Sequence, residues 1–351
     1  MLSKLRLSNF RCFEKIDCTL DEMTTIFIGD NAQGKTTILE SICLLMRLQS
    51  PRTSKIVDQI KLGESNLSVE GTLSGKKIFY AFSGNKKRMQ VDSQKFSKRK
   101  DYLQETALVV WIGNDDILLL RAGSDLRRRY LDFGASQMNL GYLSALKAYK
   151  RALRARNFLL KRDSIPNWNQ IKPYTKLLIE NGSIISEQRE LLVERLNRYA
   201  TDFQYSISGE DERLEIVYRR SGYPSLSESF EEIQSEETKQ RSTLVGPHRD
   251  DFLLNINGLD ASKFASEGQQ RSIVLSLKMA QFSVLKEIKN KNPILLIDDI
   301  FGELDSSRRI KFLSLLPKES QKFITTTNLD WLPNYQFDTY KKYIIDGGKI
   351  N

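Results

Sequence analysis

Apolar and polar residues at the start of the chain follow strand spacing and then helix spacing. Apolar positions alternate with polar ones through residues 5–20, and residues 24–28 predict a buried strand. Ile38, Ile42 and Leu45 then recur at helical intervals. The pattern therefore predicts a strand and a helix joined by a short loop.

Later segments repeat this mixture of elements. Strand spacing recurs at residues 67–73 and 77–82, with a hairpin turn predicted after the second strand. Helical spacing through residues 143–160 and 174–202 predicts an antiparallel helical arm. The apolar positions of its first helix are Leu143, Leu146, Tyr149, Leu153 and Leu160. Beyond residue 240 the pattern returns to short strands and glycine-containing turns.

The loop between the first buried strand and its helix carries a specific motif. Residues 29–37, Gly-Asp-Asn-Ala-Gln-Gly-Lys-Thr-Thr, fit the phosphate-binding pattern G-x-x-x-x-G-K-[ST]. Glycines let backbone N–H groups surround phosphate oxygens, and the helix N-terminus adds partial positive charge. We expect Lys35 to reach the β and γ phosphates and the Thr36 hydroxyl to bind Mg²⁺. The predicted contacts to a nucleoside triphosphate are Gly29, Asn31, Gly34, Lys35, Thr36 and Thr37.

A second part of a nucleotide site stands near the other end of the chain. Residues 294–297 form an apolar strand that ends in Asp298 and Asp299. In this Walker B pattern the first carboxylate reaches Mg²⁺, usually through water. Because Lys35 and Asp298 lie near opposite termini, the simplest prediction is one P-loop domain built from both ends. We place its parts at residues 1–115 and 240–351, with a basic, mainly helical insertion at residues 116–239.

Composition shows a positive charge bias and indicates which class of partner the chain binds. Lys and Arg number 54 against 44 Asp and Glu in 351 residues, giving a net charge of +10 and a pI near 9.3. This bias attracts polyanions, with nucleic acid the first candidate and an anionic membrane surface a weaker second. Mean hydropathy is −0.42 and no apolar run approaches the ~18 residues of a spanning helix. We therefore expect no membrane partner.

Histidine and cysteine usage limits the possible catalytic and metal sites and indicates the redox compartment. His248 is the only histidine, which excludes a histidine-based triad and a histidine-rich zinc site. A single histidine is more often structural than catalytic, and we expect that of His248. The three cysteines, Cys12, Cys18 and Cys43, form no C-x-x-C pair and predict a reduced, cytoplasmic protein.

Two stretches concentrate the positive charge. Residues 86–100 hold seven basic residues against one acid, which fits a solvated hairpin face and a nucleic-acid patch equally well. Residues 134–162 contain no acid, and like charges without an acid at i,i+4 destabilise a helix. Bound phosphates or acids from residues 209–237 could relieve this repulsion, and both alternatives stay open. The nearby acids are Glu228, Glu231, Glu232, Glu236 and Glu237. The basic residues of the second stretch are Lys147, Lys150, Arg151, Arg154, Arg156, Lys161 and Arg162.

A helix upstream of the Walker B strand begins with a further motif. Residues 266–271 read Ser-Glu-Gly-Gln-Gln-Arg, and Ser266 with Gln269 predicts a capping box. The same turn resembles the signature motif of the ABC ATPase superfamily, which clamps the γ-phosphate held by a partner subunit. The resemblance implies an α/β, ABC-type P-loop ATPase head and an ATP-dependent homodimer. In such a homodimer, Ser266, Gly268 and Gln269 of one chain would contact the nucleotide bound by the second chain.

Leu304 and Asp305 fall where the superfamily has its dimer-contact loop. Two other positions bear on the rate of hydrolysis. Asp299 replaces the usual catalytic glutamate, and Thr327 replaces the usual switch histidine. A shorter base and a missing imidazole predict slow hydrolysis, suited to a timed clamp. The expected catalytic residues are Asp299 and Lys35.

Longer blocks carry a narrower resemblance, to the RecF family of bacterial recombination-mediator ATPases related to SMC heads. Asp299 and Thr327 fit the pattern of that family, and the resemblance implies Arg11 as a further nucleotide contact. Ala32 stands where the family has glycine, and residues 112–116 stand where it has Phe-Ser-Pro-Glu-Asp, so we assign that segment no role. The matching blocks are residues 7–11, 39–42, 127–132, 149–161, 243–251, 264–271 and 295–305.

The RecF-family resemblance implies a function. It implies an ATP- and Mg²⁺-dependent homodimer that binds DNA at single-strand gaps and, with RecR and RecO, helps RecA to start repair. An ATPase-fused nuclease would need a carboxylate-rich domain after the Walker B strand, for which too few residues follow Asp305. A transporter subunit would need a membrane partner and usually lacks a long basic insertion. We therefore favour an ATP-gated DNA-binding dimer.

Overall fold

The chain forms two compact units. The computed structural model describes residues 1–21, 23–163, 165–209, 211–222, 224–332, 337 and 339–350. One unit comprises Met1–Asp116, Ser206–Gly209 and Gln281–Asn351, and the other comprises Ile117–Tyr205 and Glu210–Ala280. Both ends of the chain thus enter the first unit.

Helices and strands follow one another in chain order. The strands are β1 (Leu2–Phe10), β2 (Phe13–Thr19), β3 (Thr24–Ile28), β4 (Asn66–Leu73), β5 (Lys76–Ser83), β6 (Lys86–Val91), β7 (Gln94–Phe96), β8 (Val109–Gly113), β9 (Leu214–Arg219), β10 (Asp251–Ile256), β11 (Leu259–Asp260), β12 (Ile294–Asp298), β13 (Lys322–Thr326), β14 (Lys341–Asp346) and β15 (Lys349–Ile350). The α-helices are α1 (Lys35–Arg47), α2 (Arg99–Gln104), α3 (Leu118–Arg121), α4 (Ser124–Met138), α5 (Tyr142–Arg162), α6 (Trp168–Ser208), α7 (Leu226–Glu232), α8 (Gln234–Gln240), α9 (Ala261–Phe264), α10 (Glu267–Lys289) and α11 (Ser306–Leu315).

A mainly parallel sheet forms the centre of the first unit. Its strand order is β15-β14-β3-β13-β12-β8, and only β15 pairs antiparallel within it. The carboxyl ends of parallel strands meet at one edge of a sheet, where ligands of α/β proteins bind. The loop after β3 and the carboxylates after β12 therefore reach the same edge, which the sequence predicted from the two motifs.

Helix α1 is buried on all sides. It contacts β12 and β13 of the parallel sheet and also β4 and β1, which belong to an antiparallel sheet of order β2-β1-β4-β5-β6-β7. Every residue of α1 except Thr36 is consequently buried, including Glu40 and Arg47. The sequence predicted a single apolar face because the spacing of Ile38, Ile42 and Leu45 says nothing of a second sheet.

The antiparallel sheet contains the predicted hairpin. Gly84 and Asn85 have φ of 51° and 69°, and they join β5 to β6 in the register expected for a two-residue turn. Within the basic stretch of residues 86–100, Arg88 lies over the ring of Phe79 and Arg99 donates to a backbone carbonyl. The choice between a solvated face and a nucleic-acid patch therefore stays open for the remaining charges.

In the second unit, α5 and α6 run antiparallel. Tyr142 at the start of α5 bonds Arg189 far along α6, whereas Arg156 near the end of α5 bonds Thr175 near the start of α6. This confirms the predicted antiparallel pair of helices, while their role as an arm stays a prediction. Among the described helices, none is long and apolar enough to cross a membrane.

The buried face of α5 includes only part of the apolar row. Tyr149 and Leu160 are buried, whereas Leu143, Leu146 and Leu153 are only half-buried. Ala145 and Ala152 are also buried, and a buried acid, Glu237, accepts from Arg156 there. The buried residues of α5 are Tyr142, Ala145, Tyr149, Ala152, Arg156 and Leu160.

A small antiparallel sheet, β11-β10-β9, also belongs to the second unit. β9 lies within the predicted insertion of residues 116–239, and β10 pairs with it along its whole length. This pairing joins residues beyond 240 to the second unit, which extends to Ala280. The functional division at residues 115 and 240 stays a prediction.

Candidate functional site

The predicted phosphate-binding loop joins β3 to α1 and needs glycine at two positions. Gly34 has a φ of +107°, and a Cβ there would lie 2.7 Å from Cζ of Phe13. A Cβ on Gly29 would lie 2.3 Å from the carbonyl oxygen of Ile345. A left-handed backbone and close approaches of other groups therefore require both glycines.

The Lys35 side chain is buried and lies across this loop. Its Nζ donates to the carbonyl oxygens of Gly29 at 2.6 Å and Asp30 at 2.9 Å. An ammonium has three N–H donors, so one remains for a phosphate oxygen. Thr37 is buried in the first turn of α1, whereas Asn31 is exposed in the loop.

Thr36 and Asp298, the predicted Mg²⁺ ligands, meet although 262 positions separate them. Thr36 Oγ1 donates to Oδ1 of Asp298 at 2.8 Å, and Thr325 Oγ1 donates to the same oxygen at 2.7 Å. Burial raises the pKa of the Asp298 carboxyl, and the two hydroxyl donors oppose that rise. A hydroxyl beside a carboxylate fits Mg²⁺, which takes few protein oxygens and completes its shell with water and phosphate.

Asp299 is fixed through its backbone. Its φ is +51°, its N–H donates to the Thr325 carbonyl at 3.1 Å, and its own carbonyl accepts from Nδ2 of Asn114 at 2.8 Å. A non-glycine residue stays in this left-handed region only where its surroundings hold it there. Asn114 directly follows β8, where Gly113 is in register with Asp298. Its amide thus positions the residue expected to act as base.

Arg11 lies in the turn between β1 and β2 and binds a buried acid of α1. Its Nε and Nη2 donate to the two carboxylate oxygens of Glu40 at 3.0 and 2.8 Å. Ser50 Oγ also donates to Glu40, and Arg52 Nη1 lies 3.6 Å from it. Arg11 therefore anchors its turn to the loop helix, while its contact with nucleotide stays a prediction.

In the second unit, the predicted signature turn forms a reciprocal cap at the start of α10. The Ser266 N–H donates to Oε1 of Gln269 at 2.8 Å, and the Gln269 N–H donates to Oγ of Ser266 at 3.3 Å. This confirms the capping box. Ser266 is exposed and Gly268 is half-buried, so this helix N-terminus opens to solvent.

A buried carboxylate holds the signature turn from behind. Nε2 of Gln269 donates to Oε1 of Glu212 at 2.7 Å, and Nε2 of Gln204 donates to Oε2 of Glu212 at 2.6 Å. Ser276 Oγ then donates to Oε1 of Gln204 at 2.9 Å. Glu212 is 4% exposed, so these donors replace its hydration. This link was not predictable from the sequence, because Gln204 on α6 and Gln269 on α10 come together around Glu212 only through tertiary packing.

Asp305, in the predicted dimer-contact loop, caps α11. Its Oδ1 accepts from the Arg308 N–H at 2.9 Å, while the neighbouring Leu304 is buried. Both positions therefore have a role within the chain. Their contact with a second chain stays a prediction.

Both ring nitrogens of His248 contact groups of the same chain, which fits the structural role expected for it. Its Nε2 lies 3.1 Å from the Thr243 carbonyl oxygen and its Nδ1 lies 2.7 Å from the Tyr149 hydroxyl. Because a carbonyl only accepts, Nε2 carries the proton and Nδ1 accepts from Tyr149. Burial lowers the pKa of the ring to about 4, so neutral imidazole joins α5 to this loop.

The sequence was compared with family models and with known proteins. Residues 1–109 match the family model of an AAA ATPase domain. The chain is 34% identical over 364 residues to the DNA replication and repair protein RecF of Geobacter sp. (strain M21), with 99% of each chain covered. It is 35% identical over 361 residues to the protein of that name from Streptococcus suis (strain 05ZYH33), covering 99% of this chain and 98% of the other. The chain belongs to the RecF family.

Solved structures give the same answer for the fold. The structure of the recombination mediator protein RecF-ATP in the RecFOR pathway matches with a TM-score of 0.87 and 30% identity, covering 100% of this chain and 96% of the other. An Smc head domain from Pyrococcus furiosus matches with a TM-score of 0.54 and 15% identity, covering 99% and 94%. At that identity the second likeness concerns the fold alone. The predicted ABC-type ATPase fold is confirmed.

Two departures from the RecF-family pattern now have a structural setting. Ala32 has a φ of +66°, a conformation that the usual glycine adopts freely. Asn114 stands where the family pattern has proline, and its side chain binds the carbonyl of Asp299. Asp116 stays close by, since its Oδ2 accepts from the Gly113 N–H at 2.7 Å. Residues 112–116 thus border the candidate site, although sequence reasoning assigned them no role.

Proposed function

We propose that this chain is an ATP-dependent DNA-binding protein of recombinational repair and replication restart. The observation that carries the nucleotide part is the meeting of Lys35, Thr36 and Asp298 at one edge of the parallel sheet. The DNA part is supported by family membership over nearly the whole chain and by the net charge of +10. ATP binding acts as a switch that controls DNA binding.

The nucleotide is held by the loop after β3. The backbone N–H groups at the start of α1 and the free donor of Lys35 take the phosphates. Thr36 and Asp298 would hold Mg²⁺, which would supply positive charge beside the phosphates. The hydroxyls of Thr36 and Thr325 orient the Asp298 carboxylate towards this task.

Two chains enclose each ATP. The signature residues Ser266, Gly268 and Gln269 lie at an exposed helix N-terminus, which favours an anion. A neutral cap leaves the first N–H groups of α10 suited to a γ-phosphate supplied by a second chain. ATP binding and dimerisation are then one event.

Hydrolysis is slow and sets the time at which the dimer releases DNA. Asp299 is the base for the attacking water, but its side chain is one methylene shorter than the usual glutamate. Thr327 provides no imidazole. Turnover in the tens per second would contradict this assignment.

The biological setting follows the named relatives. The dimer binds DNA at single-strand gaps and, with RecR and RecO, promotes the loading of RecA. The ATPase head comprises residues 1–115 and 240–351, with the arm at 116–239. These elements rest on the RecF family, whose solved member is described as acting in the RecFOR pathway.

The first test measures molar mass by light scattering. Asp299→Asn is mixed with gapped duplex and either ATP or ADP, because slow hydrolysis is then removed altogether. We expect two chains of 40.5 kDa per DNA with ATP and one with ADP. The same mass with both nucleotides would overturn the clamp.

A mixing experiment tests the shared site. Lys35→Met should lose ATP binding and ATP-dependent dimerisation, while the exposed control Lys55→Met should keep both. Ser266→Arg should bind ATP as a monomer and fail to hydrolyse it. Mixed together, Lys35→Met and Ser266→Arg should regain hydrolysis, because one composite site then has an intact loop and an intact signature. No recovery would refute the exchange of signatures between chains.

A further inference from the structure

One face of α5 carries a continuous stripe of exposed basic residues. With 3.6 residues per turn, its members fall within an arc of about 120° and extend about 22 Å along the axis. The buried residues of α5 occupy the opposite face and pack into the second unit. We call this set the α5 stripe. It consists of Lys147, Lys150, Arg151, Arg154, Phe158, Lys161 and Arg162.

Most charges of the α5 stripe lack a compensating acid. Within the described part of the chain, two have a carboxylate within 4.0 Å: Lys150 lies 4.0 Å from Asp132, and Arg162 binds the adjacent Asp163 at 2.8 Å. The other four basic side chains have no ion-pair partner among the residues that the structure describes. The repulsion noted in the sequence is therefore only partly relieved within this face.

The arginine that does find an acid is not part of the stripe. Arg156 points to the opposite side, is 1% exposed, and binds Glu237 at 2.5 Å. The helix thus separates its charges into one internal arginine and an external row. The external row has no structural explanation in the packing of this unit.

Phe158 lies in the middle of the row. Its exposed fraction is 64%, although burial of a phenylalanine side chain ordinarily stabilises the folded protein. It is flanked along the face by Arg154 and by Lys161 and Arg162 at helical spacing. An exposed aromatic ring among cations is the combination with which proteins hold unpaired bases, since the ring stacks and the cations contact phosphates.

We propose that the α5 stripe binds single-stranded DNA, with the basic residues on phosphates and Phe158 stacked on a base. This proposal rests on the proposed function and adds the contact surface and the strand type. Duplex DNA would engage the charges but offers no free base face to Phe158. An anionic membrane would be a poor match, because a single exposed ring supplies little apolar area.

Charge neutralisation tests the phosphate contacts. In Arg151→Gln with Arg154→Gln, the salt dependence of single-strand affinity should weaken by a slope of about 1.4, since each lost contact is worth about 0.7. The control Lys286→Gln with Lys291→Gln removes the same charge from another exposed surface and should leave the slope nearly unchanged. An equal change in both pairs would reduce the effect to net charge and overturn the assignment of the surface.

Replacement of the ring tests the strand type. Phe158→Ala should lower affinity for an oligonucleotide about tenfold, within the range found for one stacked base, and should change duplex affinity little. Phe158→Tyr should restore binding because it keeps the stacking ring. An equal loss for single strands and duplex would refute stacking.

The outcomes separate this proposal from the proposed function. If the unaltered chain binds no DNA with ATP, the proposed function itself fails. If it binds DNA and all stripe variants bind equally well, the α5 stripe is refuted while ATP-gated binding stands. ATP-dependent dimerisation, measured in the absence of DNA, should be the same in every stripe variant.

Discussion

Replacing Arg156 with methionine should destabilise the second unit severely. The guanidinium is 1% exposed and the Glu237 carboxylate is fully buried, with 2.5 Å between Nη2 and Oε2. Nη1 also donates to Thr243 Oγ1 and Nε to Thr175 Oγ1, both at 2.9 Å. The ring of Phe230 lies 4.9 Å from the guanidinium carbon. Methionine has a similar length but offers no charge and no donor.

The expected loss follows from the charge left behind. Removing one partner of a buried ion pair costs about 3–5 kcal/mol, because the other charge stays in a medium of low dielectric. A whole domain is stable by about 5–15 kcal/mol, so the unit would be close to unfolding. Arg156→Met with Glu237→Met should cost less than the two single changes added together, with a coupling of about 1–3 kcal/mol.

Urea unfolding followed by circular dichroism and tryptophan fluorescence measures these losses. Arg154→Met is the matched control, since it removes a neighbouring exposed arginine of α5 and should change stability by less than about 0.5 kcal/mol. If Arg156→Met lost no more than this control, the internal pair would not stabilise the unit. The division of the helix into structural and binding charges would then be wrong.

Two further changes address the nucleotide site. Burial raises the pKa of Asp298 in the folded chain, so its ionised form destabilises the fold as pH rises above the unfolded value of about 3.9. Asp298→Asn should therefore raise the melting temperature at pH 7 but not near pH 4, and Mg²⁺-ATP should no longer stabilise it; a lower melting temperature at pH 7 would contradict this. Ala32 has a φ of +66°, so replacing it with glycine removes about 1–2 kcal/mol of backbone strain from the folded state. Glycine also raises the conformational entropy of the unfolded chain, which lowers stability by about 0.4–1 kcal/mol. Ala32→Gly should thus be neutral or stabilising in thermal unfolding, whereas Ala32→Val should destabilise, and a stable Ala32→Val would refute the conformation.

The nucleotide site was predictable because its chemistry is local in the sequence. The spacing of Gly34, Lys35 and Thr36 specifies a backbone loop and a helix start, and Asp298 ends an apolar strand. Parallel pairing then brings the two motifs to one edge of the sheet. Once both strands were recognised, the contact of Thr36 with Asp298 needed no further information.

Contacts made by distant segments were not predictable in this way. Asn114 reaches Asp299 only because β8 pairs with β12, and nothing near Asn114 in the sequence specifies that pairing. Glu212 reaches Gln269 only because α6 packs beside α10. In both cases a single polar residue in a loop looked like an ordinary surface residue until tertiary structure gave it a partner.

The charges of α5 were ambiguous for a different reason. Seven like charges on one helix were visible in the sequence, but the sequence-based prediction did not separate the one that points inward, Arg156, from the others. Arg156 shares the face of Tyr149, Ala152 and Leu160, and small alanines on a helix mark close packing as well as leucines do.

This arrangement gives the α5 stripe a physical asymmetry. Lys147 with Arg151, and Lys150 with Arg154, are like-charged pairs at i,i+4, each unfavourable by about 0.2–0.5 kcal/mol in a helix. The buried pair of Arg156 and Glu237 holds the same helix in place from its other side. The unit therefore keeps an external repulsion that the described acids of the unit, such as Asp132 beside Lys150, relieve only in part. A bound polyanion would remove that repulsion, so the fold is stabilised most when the stripe is occupied.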